Sequence, residues 1–176
     1  GAITSNGNAS LAGPVTLAGD AVIAPNSGST LTLSGTLNGA FGLTTGGNGT
    51  LNLNGAIGGV TQLAFLTTGT SGATDIGASV RTVGDQTFNN ATTLAAGVVL
   101  DSTAGKLVAT APVTATAGAV SLKGATGVDF QHAGNDFASV AVTTGGNASL
   151  VDQNAIDLGA STIGGSLALT ASGNVT

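Results

Sequence analysis

Short apolar–polar–apolar triplets return along this chain at a spacing of about 20 residues, and that register limits the possible folds more than any other feature. Leu31, Leu33 and Leu37 recur one such step later as Leu51, Leu53 and Ile57, and Val128 and Phe130 as Ala148 and Leu150. The same alternation marks Val15-Thr16-Leu17, Thr92-Thr93-Leu94, Val120-Ser121-Leu122, Ile156-Asp157-Leu158 and Leu167-Ala168-Leu169. A period of two is that of a strand with one buried face. Between the triplets stand Gly, Asn, Ser and Asp, which suit tight turns. Strands this short cannot hold a free sheet, but they are stable when each stacks on its equivalent in the next coil of a solenoid.

A repeat near 20 fits one turn of a parallel β-helix with about three short strands. The prediction is therefore an all-β fold, a right-handed parallel β-helix over residues 1–176 with roughly 8 to 9 coils. At about 4.8 Å per coil the rod would be on the order of 40 Å long. Leu, Val, Ile and Ala are expected to line its interior, with the five Phe as larger fillers. Thr, Asn and Ser are expected to face outward.

Two longer repeats overlie the coils. Leu11, Pro14, Val15, Leu17 and Val22 have counterparts 77 positions on at Phe88, Ala91, Thr92, Leu94 and Val99, which suggests a duplication of approximately 8–83 and 85–176. The chain also opens on Gly1-Ala2-Ile3-Thr4 and closes on Gly173-Asn174-Val175-Thr176, a Gly-x-(Ile/Val)-Thr step repeated at an offset of 172. This reads as one unit of a longer array, with Gly1, Ala2, Ile3 and Thr4 meeting Gly173, Asn174, Val175 and Thr176 at the junction between units.

Composition removes several classes of function. The only cations are Arg81, Lys106 and Lys123 against eight Asp, a net charge of −5, whereas nucleic-acid binding needs clustered Lys and Arg. No apolar run approaches the roughly 18 to 20 residues of a membrane helix, so no membrane insertion is expected. With 41% hydrophobic residues spread evenly, the chain is too apolar and regular for a disordered tract. Absence of Cys excludes a disulfide framework.

Candidate chemistry is sparse. His132 lies near Asp129 and Asp136 in sequence, a general base beside carboxylates, but no Ser stands in a nucleophile-elbow context. Asp152 and Asp157 are the best candidate carboxylate pair; Asp157, between Ile156 and Leu158, should point to solvent. Gly46-Gly47-Asn48-Gly49-Thr50-Leu51 begins like a calcium-binding β-roll repeat, then places Leu51 where the ligand Asp belongs. The same stretch lacks the Lys-Ser/Thr ending of a phosphate loop and reads as a turn. Asn-x-Ser/Thr sequons occur at Asn8, Asn48, Asn90, Asn147 and Asn174. An ice-binding face would need Thr in regular outward files, and the outward residue changes between Thr, Asn, Ser and Asp. No catalytic residue, metal ligand or cofactor is expected, and the chain reads as a non-enzyme.

Several stretches resemble the repeat region of large bacterial exoproteins of the filamentous haemagglutinin type. They are Val83-Gly84-Asp85-Gln86-Thr87-Phe88-Asn89-Asn90-Ala91-Thr92-Thr93-Leu94, Ala133-Gly134-Asn135-Asp136-Phe137, the run from Asn147 to Gly159, and Gly165-Ser166-Leu167-Ala168-Leu169-Thr170-Ala171. The resemblance implies secretion by a two-partner or autotransporter route, an extracellular or cell-surface location, and a right-handed β-helical stalk used in adhesion or biofilm formation. The expected role is structural: a repeat unit stacking head to tail on identical or similar units. The alternative is an adhesin module whose coil faces bind a host-surface or matrix glycan or protein.

Overall fold

The computed structural model describes residues 1–176 and consists of 22 short strands joined by turns, with no helix. All strand pairings are parallel, and each joins one coil to the next. The first face is a nine-stranded sheet. Its strands are β1 (Ala2–Ser5), β4 (Ala21–Pro25), β7 (Leu43–Thr45), β9 (Leu66–Thr67), β12 (Gln86–Phe88), β15 (Lys106–Ala109), β17 (Gly127–Phe130), β19 (Asn147–Asp152) and β22 (Leu167–Ala171). The second face stacks β2 (Ala9–Leu11), β5 (Thr30–Leu33), β8 (Thr50–Leu53), β10 (Ala73–Ile76) and β13 (Ala91–Leu94), then the first halves of β16 (Val113–Gly124) and β18 (Asp136–Thr144). The third holds β3 (Val15–Thr16), β6 (Leu37–Asn38), a bridge at Ile57, β11 (Val80–Thr82) and β14 (Val99–Ser102). It continues through the second halves of β16 and β18 to β20 (Asp157–Leu158) and β21 (Thr162–Ile163). The protein is a parallel β-solenoid of about eight coils.

The pairings expected from sequence are present residue for residue: Leu31 with Leu51, Leu33 with Leu53, Leu37 with Ile57, Val128 with Ala148 and Phe130 with Leu150. The coil length nevertheless varies. The step from Ala148 to its partner Leu167 is shorter than these, and the step from Leu43 to its partner Leu66 is longer. The extra residues of that longer coil project between Ile57 and Leu66, where Val60 is 90% exposed. In β16 and β18 the corner between second and third faces straightens. Ala115 pairs with Phe137 but Ala119 with Ser139, so the two strands differ by two residues there, and Gly118 takes φ +152° in the irregular stretch. The longer offset suggested by the sequence links residues of different faces, taking Leu11 of β2 to Phe88 of β12 and Val22 of β4 to Val99 of β14.

Inside, 31 buried apolar residues form one continuous cluster. One inner row of the first face runs Phe88, Ala109, Phe130, Leu150, Leu169. Phe88 and Phe130 are two coils apart, roughly 9.5 Å at the backbone, yet their ring centroids are 6.1 Å apart. The rings lean together over the small Ala109, and Phe130 also meets Phe137 at 6.1 Å. Tilted ring pairs of this kind add about 0.5–1.5 kcal/mol to the area they bury. Only three of the five Phe fill the core in this way. Phe41 and Phe65 lie in the loops before β7 and β9, outside any strand, and neither is buried.

This packing predicts that Phe130→Ala lowers the unfolding free energy by about 3–5 kcal/mol. Ala109→Leu, which fills the gap the two rings occupy, should also destabilise, by about 1–3 kcal/mol. Urea denaturation followed by circular dichroism measures both.

Candidate functional site

Several first-face strands lead into corners where polar side chains, and not backbone alone, tie neighbouring coils. Asn135 is fully buried. Its amide donates to the Phe130 carbonyl at 2.9 Å and the Val151 carbonyl at 3.2 Å, while its Oδ1 accepts from the Val113 amide at 2.9 Å. At an earlier corner, Asn90 donates to the Ser71 carbonyl at 3.2 Å, and the Thr92 hydroxyl donates to the Asn90 carbonyl at 3.1 Å. Asp152, 1% exposed, accepts from the Phe137 amide at 2.7 Å and the Asn154 amide at 2.9 Å. Buried polar groups require partners of this kind, and each of these side chains supplies one where the chain turns too sharply for a ladder.

The sequence candidates for chemistry are dispersed among such structural bonds. The Nδ1 of His132 accepts from the Gly134 amide at 3.0 Å, so the ring closes its own turn. Asp129 accepts from Gln131 at 2.6 Å, and Asp136 from Gln153 at 2.9 Å and Asn154 at 3.1 Å. Asp157 is exposed and Asp152 buried. No three acidic or imidazole side chains converge. Gly46 to Asn48 form the turn from β7 into β8, with Gly47 at φ +77°. Of the sequons, Asn8, Asn48, Asn147 and Asn174 are exposed and Asn90 is buried.

The two end tetrapeptides lie at opposite ends of the rod and on different faces. Ala2 to Ser5 form the outermost strand of the first face, paired only with Val22 to Pro25. Val175 bridges Ile156, and the Thr176 carbonyl accepts from the Leu158 amide at 2.8 Å, at the corner entering the third face. The offset between the two tetrapeptides is not a whole number of coils. Followed coil by coil, the inner row that starts at Ile3 ends at Leu169. The junction expected from the sequence match therefore does not correspond to the strands that share a row.

Outward files differ from face to face. The first face presents Val22, Thr44, Thr67, Thr87, Val108, Asp129, Ser149 and Ala168 in register. Three Thr in succession then give way to other residues, so no regular Thr lattice extends along the rod. The third face presents Arg81, Asp101 and Lys123 in register, with Arg81 Nε 3.1 Å from Asp101.

The corner between third and first faces carries the feature that the triplet pattern did not reveal. There the Phe65 ring lies against Gly42, where any Cβ would collide with it. Beside the ring opens a concavity of about 560 Å³. Apolar Phe65 and Val83, polar Thr67, Asp85 and Thr87, and Gly84 and Gly105 line it together. A Cβ on Gly84 would come 2.8 Å from the Ala64 carbonyl oxygen, and one on Gly105 would collide with Asp85. The packing of the chain around the hollow thus requires glycine at both positions. Asp85 accepts from the Lys106 amide at 2.9 Å through Oδ1. No family model, no curated protein and no solved structure matches this chain.

Asn135→Leu would remove the acceptor of the Val113 amide and the side-chain donor to the Phe130 and Val151 carbonyls, at a cost of about 3 kcal/mol. Asp101→Asn should cost less than about 1 kcal/mol, because the Arg81 pair is solvent-exposed. Equilibrium urea unfolding of the two variants checks the contrast.

Proposed function

We propose that this chain is a structural repeat segment of a secreted bacterial filament or stalk, built to extend by end-to-end stacking and working in adhesion or biofilm at the cell surface. The observation that supports this is the pair of open edges on one continuous sheet. Strands β1 and β22 each have a partner on one side only, and Ile3 and Leu169 terminate the same inner row. Placing β22 of one unit on β1 of the next sets Leu169 over Ile3 and Thr170 over Thr4, continuing both the apolar interior and the backbone ladder. An unpaired edge is a template for another strand, and a head-to-tail contact need not close. The neighbour is another unit, in the same polypeptide or in a second copy. The role is mechanical and not catalytic, since His132 and the carboxylates of Asp129, Asp136 and Asp152 are engaged in turns and coil contacts.

Negative-stain electron microscopy with size-exclusion chromatography tests the reading. Filaments of uniform width, lengthening with concentration, are expected for the purified chain. Ile3→Lys or Leu169→Lys should abolish them and leave a folded monomer, because each places a charge in the joined interior. A monomer at every concentration would remove the stacking between chains.

A further inference from the structure

We infer that the concavity beside Phe65 is a binding site for one pyranose ring of a neutral glycan. The site lies on the flank of the rod, on middle coils away from both ends, so it goes beyond the stacking role and does not depend on it. A pyranose has two chemically different surfaces: a face of C–H bonds and a rim of hydroxyl groups. The Phe65 ring is held against Gly42 and lines the hollow; its electron-rich face attracts the weakly positive C–H bonds. Val83, 48% exposed, adds apolar surface to the lining.

The polar lining residues supply the rim contacts. Thr67 and Thr87 are register partners on neighbouring coils and both line the hollow, where their hydroxyls can donate to and accept from a sugar. Asp85 commits Oδ1 to the Lys106 amide, which fixes the carboxylate and leaves Oδ2 to accept from sugar hydroxyls. A concave, largely apolar site with a few convergent polar groups is the usual form of a small-ligand pocket. The carboxylate selects against acidic sugars, since the one charged group lining the hollow is negative. A single shallow contact of this kind has a dissociation constant on the order of 1 mM, and repetition along a filament multiplies it.

The test is a titration of the ¹⁵N-labelled chain with the methyl glycosides of mannose, galactose and glucose, with N-acetylglucosamine, and with glucuronate, each to about 50 mM, well above that dissociation constant. At least one neutral sugar is expected to shift the amides of Ala64 to Thr67 and Gly84 to Thr87 saturably. Phe65→Ala should weaken that binding at least tenfold. Phe65→Leu, which keeps an apolar side chain against Gly42 but removes the ring face, is the variant to read if the alanine form does not fold. Asp85→Asn retains an acceptor for the Lys106 amide and should weaken binding several-fold. The inference is overturned by the absence of a saturable response to any neutral sugar, by a response that survives loss of the Phe65 ring, or by glucuronate binding as well as the neutral sugars. Binding of an apolar dye or peptide at Phe41 and Val83 with no sugar response would likewise overturn it and identify a protein-docking patch.

Discussion

Everything in this molecule depends on the parallel backbone ladder that closes once per coil. Of 103 backbone hydrogen bonds, most join residues one coil apart, whether inside strands or in the turns between them. This ladder forces equivalent residues of successive coils into the same position, so any side chain is judged by what stands above and below it. Apolar rows are the simplest way to satisfy that demand, since each new coil buries the previous one. The ladder also explains why the corners need Asn90, Asn135 and Asp152. A backbone that turns between faces loses its regular partners, and a buried amide or carbonyl without one costs more than a missing contact.

Because the ladder is periodic, the coil was legible in the sequence wherever the period was kept. Leu31, Leu51 and their neighbours set both the repeat length and the inward face, and the structure pairs them as expected. Where the period breaks, the sequence misleads. Thr74, Asn135 and Gln86 look like outward or turn residues, yet all are buried. Thr74 bonds Asn90, Gln86 reaches the Asp101 carbonyl and Asn135 meets Val113 and Val151, all across coils, and alternation cannot show that. The matched tetrapeptides at Gly1 and Gly173 likewise do not share a row. Similar letters at an offset that is not a whole number of coils fall on different faces.

The concavity beside Phe65 shows the same limit. Phe41 and Phe65 stand outside the alternating triplets, in the loops before β7 and β9 that flank the longest coil step, and that displacement was the only visible signal of their exposure. Gly84 and Gly105 line the hollow and sit too close to neighbouring chain for a Cβ, and the Phe65 ring lies over Gly42 beside them. Three glycines from three different coils cooperate there. Only the register established by the ladder brings them together, so composition alone could not have identified the site. A scaffold with uniform coils would have no such hollow; the irregular coil supplies relief on an otherwise even surface.

The direction of the hydrogen bonds has a mechanical consequence. They run along the rod and link successive coils, so tension applied to its two ends loads the coils in series. The pairings of β9 with β7 and with β12, each only two registered residues long where the pairs beside them have three, are then the weakest links on the first face. Each coil that yields releases about 20 residues of chain, roughly 65–70 Å when extended, in place of the roughly 4.8 Å it spanned when folded. A rod of such coils would lengthen under load in discrete steps and absorb work while its remaining coils stayed intact.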